Sequence, residues 1–207
     1  SAQHMNAIQP SFTEVKLGTK INRNKIITSF YSIMNAQNVL RAPPGLYFSS
    51  GNFTISLWLR VNSKETKCAP ESWPNVIDFG NEDSANSSLV ISYDNACGLA
   101  VDINYGRIAG IPYFKPYKVK TPHNQWFHLA VTHTNGFTSI YVNGVNKISY
   151  EDTPLSSGVV RRSNIVGSSS SSQADYSDAD FSELRFFGQA LNASEVQADY
   201  KTDTYLW

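Results

Sequence analysis

The nonapeptide FTISLWLRV, which runs from Phe53 to Val61, decides the fold class. Starting at Phe53, every second residue is apolar, and the residues between them include Thr54 and Arg60. A strand with this period of two buries one face, whereas a helix needs apolar residues three or four positions apart. The segment therefore predicts a β-strand with one face toward the core.

The same alternation recurs along the chain. Five further strands, rich in aromatic and β-branched residues, are predicted at Leu89 to Tyr93, Leu99 to Tyr105, Trp126 to Thr132, Ser139 to Asn143 and Phe181 to Phe187. Two Asn-Gly pairs, Asn135-Gly136 and Asn143-Gly144, supply the positive φ angles of tight hairpin turns.

One short C-terminal helix is predicted at Asn192 to Tyr200, with Asn192 as its cap and Glu195 as the capping partner. Elsewhere the pattern consists of short strands joined by turns. This combination predicts an all-β fold, a two-sheet antiparallel β-sandwich, with a barrel as the alternative packing.

Composition sets the size of the domain and the class of partner. The chain has 207 residues, of which 41% are apolar and 16% charged, so it can bury a full core. Residues 1–5 have the sequence of a tag or cloning scar, and residues 6–207 are predicted to form a single domain. Lys+Arg and Asp+Glu number 17 each, so no net positive field favours nucleic acid. No apolar stretch approaches the roughly 20 residues of a membrane span, so direct membrane insertion is not expected.

Four segments of the sequence occur in a characteristic order. They are NFTISLWLRV (52–61), VIDFGN (76–81), QWFHLAVTHTNGFTSIYVNGV (125–145) and FSELRFFGQALNASEV (181–196). They resemble the signature segments of the laminin-G-like, or concanavalin-A-like, jelly-roll family, and the resemblance covers residues 39–200. It implies the jelly-roll form of the sandwich. Because this fold hosts lectins, adhesion modules, structural domains and glycoside hydrolases, it leaves the function open.

The sequence argues against an enzyme. Glucan-cleaving hydrolases of this fold carry a Glu-x-Asp-x-Glu strand motif, which projects two carboxylates from one sheet face. This chain lacks the motif, and none of its glutamates lie two or four positions apart. His128 and His133 are expected to face opposite ways on one strand, and His128 matches a packed, hydrogen-bonded position of the family. We therefore predict a non-catalytic domain; a divergent hydrolase would need a carboxylate pair assembled from separate strands.

The resemblance also implies a metal. Members of the family often hold calcium through oxygen ligands, and Asp175, Asp178, Asp180 and Glu183 lie just before and within the last predicted strand. Relatives tend to have two acidic residues where this chain has Ser182-Glu183, so a hydroxyl replaces one usual ligand. We expect Ca2+ at this acidic cluster, and a solvated acidic loop is the alternative.

Aromatic residues mark a candidate ligand site. Sugars bind by stacking their apolar faces on aromatic rings, while polar side chains bond the hydroxyl groups. Six residues, most of them in one stretch rich in glycine and proline, have these properties: Trp73, Tyr105, Arg107, Tyr113, Phe114 and Tyr117. Ordinary edge or core packing of the same aromatic residues is the alternative.

Two cysteines and a candidate glycosylation site bear on whether the protein works inside or outside the cell. Cys68 and Cys97 lack the spacing of a zinc site; they pair in a disulfide or remain two unlinked thiols. Asn86-Ser87-Ser88 is a candidate glycan acceptor in a polar run. With the resemblance, these features predict an extracellular or cell-surface module that binds glycans or cell-surface ligands in adhesion. The alternative is a structural or protein-binding domain of a larger surface protein, which contacts a partner protein or homo-oligomerises.

Overall fold

A computed structural model of the chain describes residues 17–21, 27–33, 40–48, 50–62, 74–80, 88–94, 98–103, 118–152, 158–168 and 177–203. In these ranges the chain forms strands and one helix. The elements are β1 (Leu17–Ile21), β2 (Ile27–Ile33), β3 (Leu40–Ala42), β4 (Phe53–Val61), β5 (Asn75–Gly80), β6 (Leu89–Asp94), β7 (Gly98–Ile103), β8 (Lys118–Val119), β9 (Phe127–Thr134), β10 (Phe137–Val142), β11 (Val145–Glu151), β12 (Ser163–Val166), β13 (Ala179–Phe187) and α1 (Ala193–Asp203).

The strands form two sheets. One sheet has seven strands in the order β1-β2-β13-β4-β9-β10-β11, and the other has six in the order β3-β12-β5-β6-β7-β8. The paired strands run antiparallel. Leu57 and Leu129 from the first sheet and Ile91 and Leu99 from the second contribute to one shared hydrophobic core. The predicted two-sheet antiparallel sandwich with one short C-terminal helix is thus confirmed.

The nonapeptide strand β4 lies inside the seven-stranded sheet, between β13 and β9. Its alternating apolar residues are buried, as predicted, but its second face is buried too, including Thr54 and Trp58. The chain around α1 covers that face. The Thr54 hydroxyl donates to the Gln189 carbonyl (2.9 Å) and accepts from the Leu191 N–H (2.8 Å), and the Trp58 ring lies 5.8 Å from that of Tyr200.

Both predicted hairpin turns are confirmed. Asn135 and Gly136 have φ angles of 49° and 80°, and Asn143 and Gly144 have φ angles of 52° and 74°. These left-handed values match the twist of the flanking strands β9, β10 and β11. A Cβ atom on Gly144 would also lie 3.0 Å from the side chains of Gln197 and Tyr200 on α1. Glycine therefore suits this position both because of its positive φ angle and because of the close approach of α1.

Helix α1 begins as the sequence predicts. The Asn192 side chain accepts hydrogen bonds from the Ser194 and Glu195 N–H groups at 3.0 and 3.1 Å. The Glu195 carboxylate accepts in turn from the Asn192 N–H at 2.8 Å, which completes a capping box. The helical structure within the described ranges does not reach the length and hydropathy that crossing a membrane requires.

We expect the Asn192→Ala substitution to lower the free energy of unfolding by about 1 kcal/mol, because two helix N–H groups lose their acceptor. Urea denaturation of the variant measures this loss. Asn146→Ala changes an exposed asparagine in β11 and serves as the control, for which we expect a change within about 0.5 kcal/mol. Equal stabilities for the two variants would show that the cap contributes nothing.

Candidate functional site

A row of hydrogen-bonded polar side chains crosses the outward face of the six-stranded sheet. The Ser92 hydroxyl on β6 donates to Oδ1 of Asn75 on β5 at 3.0 Å. Asn75 Nδ2 donates in turn to Oδ2 of Asp78 at 3.3 Å. Hydroxyl, amide and carboxylate groups thus lie side by side, which is the donor and acceptor set that recognises sugar hydroxyl groups.

A β-bulge brings this polar row together. Residues three positions apart on a regular strand face opposite sides of the sheet, but the register of β5 against β6 shifts between Asn75 and Ile77. The shift allows the side chains of Asn75 and Asp78 to meet on one face. The sequence does not predict this pair, because residues three positions apart are not expected to share a strand face.

The polar row has apolar neighbours and little exposure. Val90 lies opposite Asp78, and Ala100 lies opposite Ser92. Asn75 is 8% exposed and Asp78 is 5% exposed, whereas Ser92 is half-buried. Ser92 is therefore the member of the row that solvent reaches most easily.

The six predicted ligand residues lie outside the described residues, as do Cys68 and Cys97. Their neighbours in the chain border the six-stranded sheet. Trp73 directly precedes Pro74, whose carbonyl accepts from the Tyr93 N–H at 2.8 Å. Residues 104–117 connect β7 to β8. Both aromatic segments are thus continuous with the sheet that carries the polar row.

The described residues of the predicted calcium site, Asp178, Asp180 and Glu183, each contact a different set of residues. Asp180 is buried, and its Oδ2 accepts from Arg60 Nε at 2.6 Å and from Asn62 Nδ2 at 3.3 Å. Glu183 is exposed at the bulge of β13, with a φ of 50°, and pairs with Arg185 at 3.0 Å. Asp178 is also exposed, and its backbone carbonyl accepts from the Asn62 N–H at 2.9 Å.

Asp175, the fourth predicted calcium ligand, lies outside the described residues. Within the part of the chain that the structure describes, no three His, Cys, Asp or Glu side chains are grouped to hold a metal ion. The arginine partners of Asp180 and Glu183 already supply positive charge to those carboxylates. Calcium binding here stays a prediction.

A second polar network lies between the seven-stranded sheet and α1. His128 Nε2 lies 3.1 Å from Oδ2 of Asp199, and Arg185 Nη1 lies 3.0 Å from its Oδ1. Burial acts to raise the pKa of Asp199, but the hydrogen bond from His128 and the charge of Arg185 outweigh it and hold that pKa below its ordinary value. The network therefore fastens the helix to the sheet with an ionised carboxylate.

The histidines behave as the strand pattern predicts. His128 is opposite Trp58 in the register and lies beneath α1, with its ring 5.5 Å from that of Trp58. His133 is opposite Phe53 and stacks on that ring at 5.3 Å, on the core side of the sheet. The two rings thus face opposite ways, and the packed role predicted for His128 is confirmed.

Arg161 is a buried structural residue whose role the sequence pattern does not indicate. Its side chain is 0% exposed, its Nη1 donates to the Tyr47 carbonyl, and its guanidinium lies 5.5 Å from the Phe48 ring centre. Burial lowers the pKa of Arg161 to about 10, which still leaves it charged at neutral pH. An arginine inside an irregular segment carries no periodic signal, so its sequence context did not reveal this role.

A family model described as the concanavalin A-like lectin/glucanases superfamily matches residues 35–197. Among curated protein sequences, none matches this chain.

Solved structures of similar fold include two proteins that act on or bind carbohydrate. Trypanosoma rangeli sialidase, in complex with the inhibitor DANA, is 13% identical with a TM-score of 0.60; the match covers 89% of this chain and 29% of the sialidase chain. Domain 4 of AbnA, a GH43 extracellular arabinanase from Geobacillus stearothermophilus, was solved in complex with arabinotriose. It is 25% identical with a TM-score of 0.57, and the match covers 88% of this chain and 80% of that domain.

Proposed function

Because the chain belongs to the concanavalin A-like lectin/glucanase superfamily, we propose that it is a non-catalytic module that binds a glycan. The observation that carries the proposal is the likeness to an arabinanase domain in complex with arabinotriose, which extends over most of both chains. The sialidase likeness supports the fold alone, since this chain spans 29% of that protein.

The outward face of the six-stranded sheet is the part of the chain that best suits a glycan. Ser92 is half-buried and carries a hydroxyl that can bond to a sugar, and it is hydrogen-bonded to Asn75, which in turn bonds to Asp78. Trp73 and Tyr113 lie in chain segments continuous with this sheet, and we propose that their rings stack on the ligand. We propose that the glycan first contacts this face at Ser92, because Ser92 is the most exposed residue of the polar row.

Location and calcium belong to the same proposal. We propose that the module works outside the cell or at the cell surface, where glycans are displayed and a Cys68–Cys97 disulfide would persist. We further propose that the acidic cluster of Asp175, Asp178, Asp180 and Glu183 holds Ca2+. Adhesion to a cell-surface ligand is the biological role that such binding would serve.

A glycan array tests the proposal, with the domain applied in calcium and again after chelation. We expect selective hits, and we expect Trp73→Ala and Tyr113→Ala each to weaken binding by about tenfold or more, because a stacked ring contributes about 1.5 kcal/mol or more. Phe137→Ala is the matched control: this aromatic residue is 54% exposed and lies on β10 of the other sheet. The Phe137→Ala variant should bind glycans as tightly as the unmodified domain does.

The outcomes separate the alternatives. Hits that vanish after chelation would support calcium at the acidic cluster, and hits that persist would remove calcium from the proposal. A blank array under both conditions would contradict glycan binding and favour a structural or protein-binding domain, which sedimentation would reveal as concentration-dependent self-association.

One observation favours a glycoside hydrolase as the second candidate. In the register, Asp78 on β5 is opposite Val90 on β6, which is opposite Asp102 on β7. Two aspartates thus occupy register positions two strands apart, a backbone separation of about 10 Å. Inverting glycosidases use a pair of carboxyl residues. Release of reducing sugar from array-positive glycans, abolished by Asp78→Asn while binding persists, would establish hydrolysis. Intact glycans after prolonged incubation would leave binding as the function.

A further inference from the structure

A histidine lies buried at the end of the sandwich where β9 turns into β10. His133 is 0% exposed, and its Nδ1 lies 3.0 Å from the Thr138 hydroxyl. That hydroxyl donates to Oδ2 of Asp152 at 3.3 Å, and the Asp152 N–H donates to the Gly136 carbonyl in the turn. His133, Thr138 and Asp152 therefore form a relay that ties the start of β10 to the end of β11.

The direction of the relay fixes the tautomer of His133. A threonine hydroxyl carries one proton, and here that proton points to the Asp152 carboxylate, which can only accept. Nδ1 of His133 must therefore carry a proton and donate it to the Thr138 oxygen. Nε2 then holds the lone pair, and this buried atom has no hydrogen-bond partner among the residues that the structure describes.

Within the described part of the chain, the groups around the ring do not stabilise a second proton. From β4, Phe53 covers the ring face, and on β11 Tyr150 donates its hydroxyl to the Val101 carbonyl while Glu151 is exposed. Beyond Phe53, the positively charged Arg161 lies against Phe48. Asp152, at the far end of the relay, is the nearest carboxylate connected to His133, and it is bonded through Thr138 rather than to Nε2.

We propose that His133 is an acid-sensitive latch: a second proton on its ring opens the end of the sandwich at the β9–β10 turn. A protonated ring would carry a charge into a dry contact with Phe53, so the ring must reach water to accept it. Burial accordingly lowers the pKa of His133 to about 4, from 6.5 in the unfolded chain. The unfolded state thus binds more protons between these values, and stability falls as the pH drops from 6.5 toward 4.

The test compares pH profiles of the unmodified domain and His133→Asn, whose amide nitrogen can donate to Thr138 as Nδ1 does but does not titrate. Between pH 7.5 and pH 4, we expect the unfolding equilibrium constant of the unmodified domain to rise on the order of a hundredfold more than that of the variant. Because the profiles rather than the absolute stabilities are compared, a variant that is less stable at every pH remains informative. His123→Asn, at an exposed histidine, should keep the full profile.

Two further measurements address the latch itself. Nitrogen-15 NMR of histidine-labelled protein should show His133 as the Nδ1–H tautomer at neutral pH. Hydrogen-exchange protection around the β9–β10 turn should fall at pH 5 before that of β4. Parallel pH profiles, an Nε2–H tautomer, or protection that falls uniformly through the domain would each overturn the proposal.

Discussion

Replacing Arg161 with alanine is expected to lower the free energy of unfolding by about 3 to 5 kcal/mol, the largest effect we expect from one substitution outside the apolar core. The guanidinium fills buried space between the segment from Pro43 to Phe48 and the start of β12. Truncation removes the packing against Phe48 and leaves the Tyr47 carbonyl without its charged donor. The loss should be measurable by urea denaturation at neutral pH.

The hydrogen bonds around Arg161 explain why the loss of stability in Arg161→Ala should extend beyond the substituted residue. Gly45 and Arg161 exchange N–H to carbonyl hydrogen bonds at 3.0 and 2.9 Å, and Asn164 Nδ2 donates to the carbonyls of Arg161 and Pro43. The Tyr47 ring then packs edge-on to Phe79 in the core, with ring centres 5.1 Å apart. Arg161 thus connects an irregular segment to the hydrophobic core of the sandwich.

Arg162→Ala is the matched control, because Arg162 is the next residue in the chain and is exposed. We expect its effect to stay below about 1 kcal/mol, as for most surface substitutions. Equal losses for the two variants would show that the burial of Arg161 does not stabilise the domain. An Arg161→Ala variant with the same free energy of unfolding as the unmodified domain would contradict the structural role assigned to Arg161.

Local patterns explain what the sequence could predict. The period-two alternation in β4 and the Asn-Gly pairs at Asn135 and Asn143 act within a few residues, so they specify strands and turns without knowledge of the rest of the chain. The cap at Asn192 is equally local, because its partners are Ser194 and Glu195. These features account for the sandwich and for the position of α1.

Long-range contacts explain what the sequence could not predict. The second face of β4 is buried by bonds such as that from Thr54 to Gln189, which lies 135 positions away in the chain. The candidate glycan face depends on a bulge that aligns Asn75 with Asp78, and Asp180 meets Arg60 only because β13 pairs with β4. Neither arrangement leaves a periodic trace in the sequence, so both required the tertiary structure.

The Asp199→Ala substitution should lower the free energy of unfolding by about 2 to 3 kcal/mol and loosen α1 from the sheet. The carboxylate is the common acceptor for His128 and Arg185, and His128 has no room to find water beneath Trp58 and Tyr200. Loss of the carboxylate leaves a buried donor on the histidine without an acceptor. Hydrogen exchange of the α1 amides, together with urea denaturation, measures the effect.

The pH profile distinguishes Asp199 from a residue that merely fills space. Its folded pKa lies below the value of 3.8 for an ordinary aspartate, so its ionised form stabilises the native state above that value. This contribution is lost as the pH falls through the lower folded pKa. The Asp199→Ala variant should therefore lose less stability on acidification below about pH 4 than the unmodified domain does.

Glu183→Ala provides the matched control for Asp199→Ala. Glu183 is the other carboxylate paired with Arg185, but its side chain is 39% exposed, and exposed ion pairs contribute at most about 1 kcal/mol. We expect a small loss and unchanged protection of α1 for this variant. If the two variants weakened the helix equally, the charge of Arg185 rather than the buried bond to His128 would hold α1 in place. If only Asp199→Ala released the helix, the buried hydrogen bond between Asp199 and His128 would be the contact that fastens α1 across β4 and β9.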